Sequence, residues 1–243
     1  MDGLRERGYI CAEKSRIAIP LTTFIPKAKV VRGILGVMYD LYVFDLDGTL
    51  VDTMPDIYAA VQSVSGKLNL TVPTYEETEH AIGGGFDAFV KILFERNHSS
   101  RFDEIYSAFT RHYEEHLSEK SKPFPGAIEL LDTLSKRAPC VVLTNKTSVF
   151  AKKLVPAIFG DSILEVFGAE DVPAIKPDPR GMKMVIEKYN SKNPLFVGDS
   201  IIDIETAKNA SVPIAVFTEG YNHGKDLSGA TFQVSALLEV AKL

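Results

Sequence analysis

Between residues 125 and 217, short apolar runs alternate with stretches of helical spacing, and this pattern restricts the fold more than any other feature of the chain. The runs are Cys140–Leu143, Ile163–Phe167, Leu195–Val197 and Ile214–Phe217. Helical periodicity is expected at about 127–136, 148–159, 179–189 and 203–209. Strands of this kind, too short and too uniformly apolar for an alternating surface sheet, imply βαβ units and a parallel sheet covered on both faces. One further run, Leu41-Tyr42-Val43-Phe44, stands far upstream. Between it and the alternating block, residues 53–122 read as helix and turn throughout, with Pro55 placed in a first helical turn. The spacing predicts helices at 55–68, at about 86–95 and at about 103–119, and Pro123-Phe124-Pro125-Gly126 marks the return.

The expected architecture is therefore α/β. A doubly wound, Rossmann-like parallel sheet, residues 38–52 and 123–243, carries a small all-helical insert at 53–122. Residues 1–37 show no trustworthy period and form an N-terminal extension; Met38, three residues before the first strand, is an alternative start. That extension holds seven Lys/Arg and three Asp/Glu, a charge of +4, and leaves −9 on the rest of a chain whose net charge is −5. The overall negative charge argues against nucleic acid as a partner. No unbroken apolar stretch approaches the eighteen or so residues that span a bilayer, so no membrane partner is expected. Cys11 and Cys140 have neither metal nor redox spacing, and a reducing, cytoplasmic setting is expected. A monomer or homodimer is expected.

In doubly wound sheets, ligands bind beyond the carboxyl ends of the strands. Chemistry-bearing residues collect at four such ends. The first run passes into Asp45-Leu46-Asp47-Gly48-Thr49, the second into Thr144-Asn145-Lys146, the loop after the third holds Lys176, and the fourth leads to Gly198-Asp199-Ser200 with Asp203 beyond. Charge at the end of a core strand is costly unless paired or metal-bound. Asp45, Asp47 and Asp199 are hard oxygen donors that suit Mg2+. A carboxylate can attack phosphorus, a second one two residues on can handle the proton, and a lysine and a threonine can stabilise the charge that develops. Gly48 permits a close turn.

These segments, DLDGTLVD, TNK, the lysine of KPDP and GDSIID, resemble the four motifs of the haloacid dehalogenase superfamily of phosphohydrolases. The insert after the first motif is similar to the helical cap of its phosphoglycolate phosphatase-like subgroup. The resemblance implies Asp45 as nucleophile and Mg2+ ligand. Asp47 would be the general acid/base, binding metal through its main-chain carbonyl. Thr144 and Asn145 would hold the phosphoryl group, Lys176 would stabilise its charge, Asp199 would be a direct metal ligand, and Asp203 would act behind these ligands. Asp47 argues for phosphoryl transfer, since superfamily dehalogenases lack that second Asp. The substrate expected is a small phosphorylated metabolite, 2-phosphoglycolate as the best guess. A pyrophosphatase or a sugar-phosphate mutase is the enzymatic alternative, and a non-catalytic regulatory protein of the same fold the remote one. An anionic substrate tail would need donors from the cap, for which Lys67, Lys91 and Arg96 are available. The Gly83-Gly84-Gly85 turn is either a specificity loop or a plain connection. Asp52 either braces the flap into the cap or helps start the following helix. Ser211, where relatives commonly have Gly, is a departure in turn geometry.

Overall fold

The computed structural model describes residues 39–243 apart from His223, and residues 95–99 in their backbone only. The expectations for residues 1–38, Cys11 and Met38 among them, lie outside the described residues, as do those for the side chain of Arg96.

Six parallel strands form the main sheet, in the order β5-β4-β1-β6-β7-β8. They are β1 (Leu41–Phe44), β4 (Cys140–Leu143), β5 (Glu165–Phe167), β6 (Pro194–Gly198), β7 (Ile214–Phe217) and β8 (Phe232–Val234). The intervening β2 (Val51–Asp52) and β3 (Lys122–Pro123) pair with each other as an antiparallel ribbon. β1 lies between β4 and β6, with Val43 in register with Val141 on one side and Phe196 on the other. The chain builds outward from β1 through β4 to β5, then crosses to β6 and builds the other way. This reversal leaves a crevice above β1, the usual place for a ligand in such sheets.

Both faces of the central strands β1, β4, β6 and β7 are buried, which explains why they read as continuous apolar runs. Tyr42, Phe44, Cys140, Val142, Leu195 and Val197 face one core, which takes in α5 (Ala127–Leu134) and α6 (Ser148–Phe159). Leu41, Val43, Val141, Leu143 and Phe196 face a second, closed by α7 (Pro179–Lys188) and α8 (Ile201–Ala210).

Four helices fill the stretch between β2 and β3. They are α1 (Met54–Leu68), α2 (Tyr75–His80), α3 (Phe86–His98) and α4 (Phe102–Glu115). α1 and α4 pack together, and Ile57, Val61 and Val64 of the one and Ile105, Phe109 and Tyr113 of the other are buried in the same core. Asp56, buried in the first turn of α1, accepts hydrogen bonds from the main-chain N–H groups of Lys120 and Ser121, tying the exit of the insert to its entry. Several details depart from expectation. α2 was not anticipated, although Thr74 and Glu77 form a reciprocal capping box. α4 ends at Glu115 and not at Glu119. β8 and the β2–β3 ribbon were also unexpected, being two or three residues long. Ser211 ends α8 at φ +59°, the left-handed conformation that a Gly would take more cheaply. No helix among the described residues is long and apolar enough to cross a membrane.

Candidate active site

After β1 the chain turns so tightly that the Leu46 carbonyl accepts hydrogen bonds from the N–H groups of Thr49, Leu50 and Val51. Gly48 sits in this turn at φ +86°, and a Cβ there would lie 2.4 Å from Asp199 Oδ2 and 2.8 Å from the Tyr221 ring. No other residue fits that space. Gly48 thus packs against the buried Asp199 carboxylate, letting the turn close over it.

The turn aims Asp45 and Asp47 at one cleft, whose wall also includes Thr144, Asn145, Lys146 and Lys176. Lys176 Nζ lies 2.8 Å from Asp45 Oδ1 and 2.6 Å from Asp203 Oδ1. Asp203 is fully buried at the start of α8. Its Oδ2 accepts from the N–H groups of Asp199 and Ser200 and from the Ser200 hydroxyl, so one carboxylate both caps the helix and orients the lysine. Asp199 accepts from the Thr49 hydroxyl at 2.6 Å and from the Tyr221 N–H at 2.7 Å. Neither donor carries a charge.

Asp45, Asp199 and Asp203 present carboxylate oxygens within 4.8 Å of one another. Against three negative charges stands the single ammonium of Lys176, and Asp45 Oδ1, although close to that ammonium, receives no well-directed hydrogen bond. A buried cluster with two uncompensated charges and an unsatisfied hard oxygen fits a divalent cation. Burial raises the Asp45 carboxyl to about 6, opposed by Lys176 and assisted by Asp203. Burial, with the charges of Asp203 and Asp45, likewise holds Asp199 well above its ordinary value. For Lys176, burial acts downward, but the carboxylates of Asp203 and Asp45 outweigh it and keep the ammonium charged.

These shifts have a consequence for stability. A carboxyl whose folded pKa is raised to about 6, from an unfolded value of about 3.9, holds its proton more tightly when folded. Its contribution is full below pH 4 and is lost as pH rises toward 6. Metal-free protein is therefore expected to melt at a higher temperature at pH 5 than at pH 7. Differential scanning calorimetry in EDTA would measure it, and the Asp45→Asn variant should show a smaller difference.

Asn145 lines the cleft beside Asp45 and Lys176, and its side chain is held by the protein. Its Oδ1 accepts from the Lys176 N–H, and its Nδ2 donates to the carbonyls of Lys176 and Gly83. The amide is engaged with the protein itself, bracing the lysine loop and holding the Gly83 turn of the insert against the sheet edge. Thr144 is buried in the cleft wall, its hydroxyl accepting from the Lys146 N–H. Asp52, for which bracing the flap and starting the helix were alternatives, makes a contact of each kind: Oδ1 accepts from the Met54 N–H at the start of α1 and from the Tyr221 hydroxyl at 2.6 Å.

Sequence reasoning passed over several residues of the site. Tyr221 reaches Asp199 with its N–H and the flap with its hydroxyl, which also accepts from the Met54 N–H. Thr53 donates to Asp47 Oδ1 at 2.6 Å. Lys146, the last residue of the Thr144-Asn145-Lys146 motif, approaches the same oxygen at 3.0 Å and donates to the Tyr113 hydroxyl at 2.9 Å. Only the motif around Lys146 carried any signal; the others depend on long-range folding.

Above Asp45 the cleft continues into an apolar chamber walled by Ile57, Ile82, Phe86, Phe89, Phe109 and Phe150. Gly83 and Gly85 also line it, so the glycine turn faces the sheet edge. Lys67 and Lys91 are exposed and do not line it.

Comparison with known proteins places the chain in a family. Residues 42–217 match the family model for haloacid dehalogenase-like hydrolases. The chain belongs to the haloacid dehalogenase-like hydrolases. A phosphoglycolate phosphatase from Agrobacterium fabrum is 35% identical over 189 residues, covering 74% of this chain and 81% of that protein. One from Cereibacter sphaeroides is 34% identical, covering 74% and 86%. Among solved structures, a predicted phosphoglycolate phosphatase from Haemophilus somnus superposes with a TM-score of 0.80 at 26% identity, covering 85% of this chain and 98% of that one. CbbY from Rhodobacter sphaeroides, crystallised with xylulose-(1,5)bisphosphate, shares the fold with a TM-score of 0.73 at 19% identity, covering 83% and 96%. Within its family this haloacid dehalogenase-like chain is a phosphatase, similar to the phosphoglycolate phosphatases.

Proposed function

We propose that the chain is a Mg2+-dependent phosphomonoesterase that works through an aspartyl-phosphate on Asp45, with 2-phosphoglycolate as its substrate. The observation that carries this reading is the placement of the Asp45 carboxylate. It is buried at the end of β1, in ionic contact with Lys176 and beside Asp199, at the floor of a cleft roofed by the helical insert. Residues 53–122 act as a cap over the core formed by residues 38–52 and 123–243.

Asp45 attacks phosphorus, forming an acyl phosphate as the bond from phosphorus to the ester oxygen breaks. Asp47 gives its proton to the departing oxygen. It then takes one from the water that attacks phosphorus and frees Asp45, so the net reaction is ester plus water to alcohol plus phosphate. Lys176 offsets charge on Asp45 and on the phosphoryl oxygens, and Thr144 supplies a donor beside them. Asp45, Asp199 and the main-chain carbonyl of Asp47 would hold Mg2+, with Asp203 behind them. When bound, the ion neutralises the carboxylates and the incoming phosphate and orients the two for in-line attack. Cys140, a free buried thiol, supports a cytoplasmic location.

The relatives named phosphoglycolate phosphatase support the choice of substrate. The aromatic wall supports a second reading, a phosphate monoester whose alcohol is uncharged and apolar, because an anionic tail would meet few donors there. A panel with Mg2+ separates the two: 2-phosphoglycolate, benzyl phosphate, pyrophosphate, nucleotides and hexose phosphates, compared by kcat/KM. The first reading expects 2-phosphoglycolate to rank highest, and benzyl phosphate above it favours the second. EDTA is expected to stop turnover of every substrate and Mg2+ to restore it.

A further inference from the structure

The Lys146 ammonium is buried just before α6, 3.0 Å from Asp47 Oδ1 and 2.9 Å from the Tyr113 hydroxyl. Lys146 belongs to the sheet edge after β4, whereas Tyr113 belongs to α4 of the cap. Thr53, where the chain leaves the ribbon for α1, donates to the same Asp47 oxygen. The carboxylate is thus held from the core and from the cap's entry strand at once. A buried ammonium is tolerated only where acceptors satisfy it, so the position of Lys146 depends on the Tyr113 hydroxyl as well as on Asp47. The Tyr113 ring is itself fixed, edge-on to Phe150 at 5.1 Å between centroids and tilted against Phe109 at 5.6 Å.

We infer that Tyr113 is a positioning residue, which through Lys146 fixes the Asp47 carboxylate for proton transfer and so makes that transfer depend on the seating of the cap. The inference rests on the reading of Asp47 as general acid/base given above. Thr53 and Lys146 both take Oδ1, which orients Oδ2 as the oxygen that exchanges the proton. When α4 lifts away, Lys146 loses an acceptor and Asp47 loses one of its two guides. Proton transfer is then efficient only with the cap seated over bound substrate.

The test uses Tyr113→Phe, which keeps the packed ring and removes only the hydroxyl. Two substrates of similar ring size are compared by kcat/KM, which reports on events up to departure of the alcohol. Benzyl alkoxide is strongly basic and must be protonated as it leaves, whereas p-nitrophenolate departs without help. Since a positioned acid contributes about 10^2–10^4-fold, kcat/KM for benzyl phosphate should fall about tenfold or more, and that for p-nitrophenyl phosphate less than about threefold. Lys146→Met should repeat the pattern with a larger loss. An equal fall on both substrates, or none on either, overturns the inference, because a merely structural role does not distinguish leaving groups. Asp45→Asn keeps the two readings apart: turnover surviving in that variant would count against the proposed function, whatever Tyr113→Phe does.

Discussion

Asp45→Asn is expected to lower turnover of every phosphate ester by about 10^4-fold or more while leaving the fold intact, as removal of a covalent nucleophile does. The amide keeps the shape of the carboxylate but does not attack phosphorus. It also removes one of three clustered buried carboxylates, and one of the two that share Lys176. The metal-free variant should therefore melt no lower than wild type at pH 7. Loss of activity without loss of stability is the signature to look for, by steady-state turnover beside calorimetry on the same preparation. A variant that loses both would point to a structural role for Asp45.

Lys176→Met should have the opposite signature, with activity and stability falling together. Lys176 is in contact with Asp45 and Asp203, and both the lysine and Asp203 are almost wholly withdrawn from solvent. Removing one partner of a buried ionic group costs about 3–5 kcal/mol, because the charge left behind is uncompensated. For a domain of this size that corresponds to a fall in melting temperature of roughly 10 °C. Asp203 and Asp45 would then favour protonation, so acidification from pH 7 to pH 5 should recover part of the loss. Mg2+ should also stabilise the variant more than it stabilises wild type, by supplying the missing positive charge. Activity should fall about 10^2–10^3-fold or more, since Lys176 is expected to offset charge at the reacting phosphoryl group. Melting curves at two pH values, with Mg2+ and with EDTA, measure all of this. An unchanged melting temperature would contradict the reading of Lys176 as the cation that the carboxylates share.

The sheet core was legible because β1, β4, β6 and β7 are buried on both faces, which forces runs such as Leu41–Phe44 to be apolar at every position. β8, with Gln233 exposed at the sheet edge, and the two-residue ribbon escape such reasoning, since their pairing is decided by neighbours distant in the chain. The α2 helix did leave a mark, in Thr74 and Glu77, but six residues without an apolar stripe were too short to register. In the site, carboxylates at the ends of apolar strands are conspicuous because their cost demands a reason, and Asp45 and Asp199 lie where that reasoning puts them. The roles of Asn145 and Gly48 were harder to read. Which way an amide points, and what a glycine must avoid, depends on Gly83, Lys176 and Tyr221, brought close only by folding. The same holds for Tyr113, 33 residues from the lysine it contacts. The apolar chamber is a further case, because its wall draws on helices of both the insert and the core.

The central claim is that phosphate passes through Asp45 on its way to water. Mg2+-loaded protein would be mixed with substrate, quenched in acid within the first turnover, and treated with borohydride, which reduces an acyl phosphate to an alcohol. Peptide mapping by mass spectrometry then locates the product. The account predicts homoserine in place of Asp45 and unmodified Asp at positions 47, 199 and 203. Phosphate release with no homoserine at position 45, or with homoserine at position 47 or 199 in its place, would contradict it.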